Sequence, residues 1–167
     1  MSDAAGFDAV ALGKQLASGT AAERADAAER LSQAGEEAAA AAVPLVQACG
    51  DESIREWAVA ALEDLGPPPS GAIAPLTKLV SNADPLEAYW AVTLLGRSGQ
   101  DAATAVAALT ACIESSADLS VRQRAAWALG KIGAQATSAR AALERAAGQG
   151  DERLARLATE ALEAIGS

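Results

Sequence analysis

One stretch recurs along this chain at a nearly constant interval, and that recurrence limits the fold more than any other feature. Asp118 to Gly133 reads DLSVRQRAAWALGKIG. Asp51 to Gly66 reads DESIREWAVAALEDLG, Asp84 to Gly99 reads DPLEAYWAVTLLGRSG, and Asp151 to Gly166 reads DERLARLATEALEAIG. A weaker copy, TAAERADAAERLSQAG, runs from Thr20 to Gly35. The closing glycines 35, 66, 99, 133 and 166 are spaced by 31, 33, 34 and 33 residues. A period of that size marks a repeat architecture, in which each unit buries its apolar side against its neighbours.

Each copy has the pattern of an amphipathic helix. Asp118 can cap its start, and Gly133 can end it. Val121, Ala125, Ala128, Leu129 and Ile132 fall on one face at i, i+3, i+4 spacing. A second register lies between the copies: Leu45, Leu76, Leu109 and Leu143 each stand ten residues after the preceding glycine. Every repeat is thus an outer helix followed by an inner one, and no segment alternates as a strand would. The expected fold class is all-α, a solenoid of about five helix pairs. The repeats are placed at about 7–35, 36–66, 67–99, 100–133 and 134–166, in a single domain over 1–167. The first is degenerate, with Glu23 and Arg30 at the Val121-type and Ala128-type positions, as a terminal cap facing water requires. Pro67, Pro68 and Pro69 stiffen the connection after Gly66.

Composition narrows the partners. Hydrophobic residues make up 51% of the chain, mostly alanine, which favours helix and lets helices approach closely. The net charge of −9 argues against nucleic acid and against anionic membrane surfaces as partners. No apolar run approaches the ~20 residues of a membrane span. The N-terminal MSDAAGFDAV lacks the basic region of a signal peptide, so the chain reads as cytoplasmic. Cys49 and Cys112 sit on equivalent outer helices two repeats apart, too far for a disulfide, and read as small buried hydrophobes.

The inner-helix pattern D-x-x-V-R-x-x-A-A-x-A-L-G-x-I-G, matched throughout by repeat 4, resembles the HEAT-like repeat. It is similar in particular to the short form found in phycocyanobilin lyase subunits. Repeat 2 keeps Ile54, Arg55, Ala58, Ala61, Leu62 and Gly66, whereas repeat 3 has Glu87 and Ala88 at the Val and Arg positions. Repeat 5 has Ala155 at the Arg position. The resemblance implies a right-handed solenoid, with Asp51, Arg55, Asp118 and Arg122 as structural ties between neighbouring repeats. Ala88 would interrupt that ladder at repeat 3.

Aromatics are only 3% of the chain, so their placement carries information. At 100° per residue, the positions of Ser120, Gln123, Arg124, Trp127 and Lys131 lie about 100° or more from the centre of the core stripe. Trp57 and Trp90 occupy the Arg124 position in their repeats, and Tyr89 the Gln123 position. All three tryptophans and the only tyrosine therefore fall on the expected exposed side of inner helices, in a stripe across repeats 2 to 4. Arg97, Arg124, Lys131, Arg153 and Arg156 add positive charge towards the C-terminal end, and Asp26, Glu29, Glu56 and Asp64 add negative charge towards the other. The competing reading places Trp57 and Trp90 at the edge of the core stripe, where their rings would seal seams between repeats.

Enzyme readings fail on missing residues. The chain has no histidine, which removes His-dependent nucleophile pairs and histidine metal sites. Neither a Walker loop nor a strand-following G-x-G-x-x-G is present. The expectation is a non-catalytic interaction scaffold without cofactor or metal. It would bind a peptide or protein on the concave inner-helix face through Trp57, Tyr89, Trp90, Arg97, Arg124, Trp127 and Lys131, with acidic groups on the partner favoured. The alternative, by resemblance, is a lyase-like subunit that holds an open-chain tetrapyrrole against the same aromatics. At the C-terminal end, either Arg140, Arg145, Arg153 and Arg156 make the last repeat polar enough, or it pairs end to end with another copy.

Overall fold

The structure is a computed structural model that describes residues 6–166. The reading of MSDAAGFDAV as no signal peptide rests in part on residues 1–5, which lie outside the described ones. Among the described residues there are ten α-helices, joined by short turns and 3₁₀ segments, and no strand. The fold class is an all-α solenoid of helix pairs.

The chain divides at the proline run into two compact units, Met1–Gly66 and Pro67–Ser167. The first holds α1 (Ala9–Ser18), α2 (Ala21–Ser32), α3 (Ala42–Ala48) and α4 (Arg55–Asp64). Asp8 caps α1, accepting from the backbone N–H groups of Val10 and Ala11. Thr20 and Glu23 form a reciprocal capping box at α2: Thr20 N–H donates to Glu23 Oε2 at 2.7 Å, and Glu23 N–H donates to Thr20 Oγ1. α4 starts late because Asp51 Oδ1 accepts from the N–H and hydroxyl of Ser53. Those bonds hold a turn over residues 52–54 instead of a first helical turn.

The second unit holds α5 (Ile73–Leu79), α6 (Pro85–Arg97), α7 (Val106–Ser115), α8 (Leu119–Ile132), α9 (Arg140–Ala147) and α10 (Glu152–Ile165). The inner helices α6, α8 and α10 pack in succession, and α5, α7 and α9 each pack against the inner helix that follows. Asp84, Asp118 and Asp151 cap the three inner helices through their side chains. The outer helices are preceded by 3₁₀ segments, such as Gly99–Ala105 and Gly133–Ala139, so each bends into its repeat.

The two registers read from the sequence are both core positions. Leu45, Leu76, Leu109 and Leu143 are fully buried, as are Ala58, Ala91, Ala125 and Ala158 on the inner helices. The five closing glycines all take positive φ, which ends each inner helix and turns the chain into the next repeat. Both cysteines are buried, and each thiol donates to a backbone carbonyl, Cys49 to Leu45 and Cys112 to Val121. Within the C-terminal repeat Arg140 donates to Gly166 O and Arg156 pairs with Glu160, while Arg145 reaches back to pair with Glu114 of repeat 4.

The caps make stability depend on acid. A backbone bond from Thr20 holds Glu23 below its ordinary value of 4.5, the Ser53 hydroxyl and then its N–H hold Asp51 below 3.8, and a backbone bond from Leu154, then the Gln123 side chain, hold Asp151 below 3.8. Groups with lowered folded values stabilise above the unfolded value, and that contribution is lost as pH falls through the folded one. Burial raises Glu87 and works in the opposite direction. The urea midpoint should therefore hold between about pH 7 and pH 6 and fall below about pH 4, with a smaller fall in Asp151→Asn.

Candidate interaction face

The inner helices of the second unit bring four of the sequence-selected side chains into one stack. Tyr89 stands on α6, and Arg124, Trp127 and Lys131 follow one another along α8 at i, i+3, i+7. The guanidinium of Arg124 lies between two rings, 4.8 Å from the centroid of Tyr89 and 5.0 Å from that of Trp127. It also donates to the Tyr89 hydroxyl. The ammonium of Lys131 sits 5.8 Å from the Trp127 ring centre. Each such contact is worth about 0.5–1 kcal/mol at an exposed site and more when desolvated.

Trp90 departs from the expected exposure. It is 7% exposed and buried, whereas Trp57, at the equivalent position of α4 in the first unit, is 37% exposed. α6 is apolar on almost every side: Ala88, Ala91, Val92, Thr93, Leu94, Leu95 and Gly96 are buried along with Trp90. A helix that is hydrophobic all round is a buried helix, so a 100° stripe calculation has no exposed face to find. Trp90 supports the stack from behind. Its ring meets Tyr89 edge-on at 5.7 Å, and Arg97, half-buried, lies 5.8 Å from its centre.

Trp127 is half-buried because the repeat before it makes room for the ring. A Cβ placed on Gly96 would lie 2.2 Å from Trp127 Cζ3. Gly130, the equivalent residue of α8, similarly lets Ala161 of α10 approach, with the backbone Cα 3.2 Å from a Cβ built there. Both interior glycines are in the L-G of the repeat pattern. They cost helix stability, so their presence was the signal in the sequence for a close approach.

Two hollows flank Trp127 between α8 and α10. One, about 150 Å³, is lined by Tyr89, Gln123, Arg124, Trp127, Arg153 and Leu157 among others. The other, about 230 Å³, includes Trp127, Gly130, Lys131, Leu157 and Glu160. Lys131 and Arg153 are exposed and form no salt bridge among the described residues.

The residues named as inter-repeat ties are placed as follows. Asp51 pairs with Arg24 of the first repeat at 2.7 Å. Arg55 donates from Nε to Cys49 O, and Arg122 donates from Nε to Ile113 O, each within its own repeat. Arg122 also donates to Gln149 of the next repeat. Asp118 accepts from Val121 N–H at the start of α8. A tie the sequence reading missed joins Gln123 Nε2 to Asp151 Oδ1 at 3.0 Å.

Residues 73–163 match the family profile described as HEAT repeats. The chain belongs to the HEAT repeat family. Two engineered proteins solved by crystallography are similar to this HEAT-repeat chain in fold. One is 22% identical with a TM-score of 0.63, over 96% of this chain and 80% of its own. The other is 22% identical with a TM-score of 0.64, over 95% of this chain and 48% of its own. No curated protein matches the chain. HEAT repeats form a scaffold fold: stacked helix pairs place equivalent side chains in rows and leave functional specificity to the residues in those rows. Among the described residues no helix is long and apolar enough to cross a membrane.

Proposed function

We propose that this HEAT-repeat chain is a protein-binding scaffold whose α6–α8–α10 face docks a partner segment bearing carboxylate side chains. The observation that carries this reading is the Tyr89–Arg124–Trp127–Lys131 stack. Its rings and cations are held in place by one another, so docking would cost little side-chain ordering. Tyr, Trp and Arg are the residue types that dominate interface energetics. Lys131 and Arg153 flank the ridge formed by Trp127 and Leu157 and would receive the carboxylates. Both hollows are smaller than the ~300–1,000 Å³ of typical small-ligand sites, which favours inserted side chains over a bound cofactor. Trp90 no longer belongs to the contact set. Trp57 offers its exposed ring on the first unit as a separate contact.

Peptides selected from a randomised display library against the whole chain should be enriched in Asp or Glu beside an apolar residue. Their affinity should fall about 30-fold in Trp127→Ala and about tenfold in Lys131→Glu, which reverses the charge beside the Trp127 ring. Selected peptides whose binding is unchanged by both substitutions would remove this face from the reading.

A further inference from the structure

The first, second and fourth repeats carry an arginine four residues after Thr20, Asp51 and Asp118, namely Arg24, Arg55 and Arg122. Each sends Nε to a carbonyl at the end of its own outer helix: Leu16 O at 2.9 Å, Cys49 O at 2.8 Å and Ile113 O at 2.9 Å. Two of them then reach forward to the next repeat. Arg24 Nη1 lies 2.7 Å from Asp51 Oδ2, and Arg122 Nη2 donates to the Gln149 side chain.

The third repeat has Ala88 at this position, four residues after Asp84. The fourth has Ser115 where the fifth has Gln149, each six residues after the repeat leucine. Neither short side chain can reach across the seam. A cleft of about 670 Å³ opens there instead, walled by Val80, Pro85, Ala88, Cys112 and Ser115, with Asp118 at its edge. Asp118 is the counterpart of Asp51 and the charged side chain of the lining. Its Oδ1 accepts from Val121 N–H at 3.0 Å, and its other oxygen has no hydrogen bond among the described residues. At the first seam that second oxygen is the one that takes Arg24.

We propose that this cleft receives an arginine side chain from a partner polypeptide, which pairs with Asp118 and completes in trans the arginine rung that Ala88 leaves out. The apolar wall suits the methylene stem of arginine, and the volume admits the stem as well as the guanidinium. Burial pushes the Cys112 thiol up to about 11, so the wall stays neutral beside the incoming cation. Arg122, whose charge is felt at Cys112, is turned to Ile113 O and Gln149. A net charge of −9 draws basic segments to the molecule. The cleft shares no lining residue with the two hollows beside Trp127, so this inference stands apart from the function proposed above.

The test uses the whole chain and acetyl-Gly-Arg-Gly-amide, followed by titration calorimetry. The arginine tripeptide should bind saturably at one site. Asp118→Asn keeps a helix cap and should weaken binding about tenfold or more, the worth of a charge-assisted hydrogen bond. Ala88→Arg should fill the cleft from within, abolish peptide binding and raise Tm. Absence of saturable binding, or binding unchanged in Asp118→Asn with a folded circular dichroism spectrum, would overturn the proposal. Equal affinity for N-propylguanidinium and the tripeptide would assign the cleft to a small free cation and overturn the polypeptide source.

Discussion

Leu129→Ala is expected to lower the unfolding free energy of the second unit by about 2–5 kcal/mol. Leu129 is fully buried on α8, the helix that packs against α6, α7 and α10. Its neighbours on α8 include Ala125, Ala126 and Ala128, which are also buried and too short to swing into a void. The cost should therefore fall towards the upper part of that range. A urea titration followed by circular dichroism measures it. A loss below about 1 kcal/mol would show that the site collapses and that α8 is not the centre of this unit's core.

Gly133→Val should be the second large effect. Gly133 closes the repeat 4 inner helix at φ 72° and ψ −139°. That backbone region is almost closed to side-chain-bearing residues, and a β-branched one suffers most. The expected cost is about 1–3 kcal/mol of strain, or a rearranged turn that shifts the following 3₁₀ segment. Gly148→Ala is the matched comparison. Gly148 sits at φ −90°, and its added Cβ would meet Arg145 O at an ordinary 3.6 Å. That change should be neutral or stabilising by up to about 1 kcal/mol. Equal losses in the two variants would mean that repeat punctuation does not depend on the left-handed glycine.

Which side chains share the candidate face was largely legible, and what was not legible shares one cause. Tyr89, Arg124, Trp127 and Lys131 could be grouped from helical phase alone because they lie on one side of α6 and α8 and on equivalent repeats. Trp90 could not be placed that way. Its angular position is that of Arg124 and Trp57, yet only Trp90 is buried, since exposure depends on everything packed around a helix rather than on phase within it. Trp127 lies farthest from its own helix's core stripe and is still half-buried, because Gly96 of the preceding repeat lets the ring lie against α6. The absence of an arginine at Ala88 was visible in the repeat alignment. That the absence opens a cleft was not, because the cleft also depends on Ser115 from the next repeat.

The sequence by itself determined the helix pairs, their period, their caps and their closing glycines, because each rests on local chemistry. An aspartate accepts backbone N–H groups at a helix start, and a glycine alone turns the chain at positive φ. It also determined the two buried registers, Leu45 through Leu143 and the inner-helix alanines, because periodicity states which side of a helix must leave water. Only the tertiary structure decided which exposed-type side chains meet. Arg124 lies between Tyr89 and Trp127, Trp90 withdraws behind them, and the repeat 3–4 seam stays open beside Asp118. Those outcomes turn on ångström-scale distances between atoms of different repeats. Such distances follow from side-chain volume summed across a seam, which no single repeat contains.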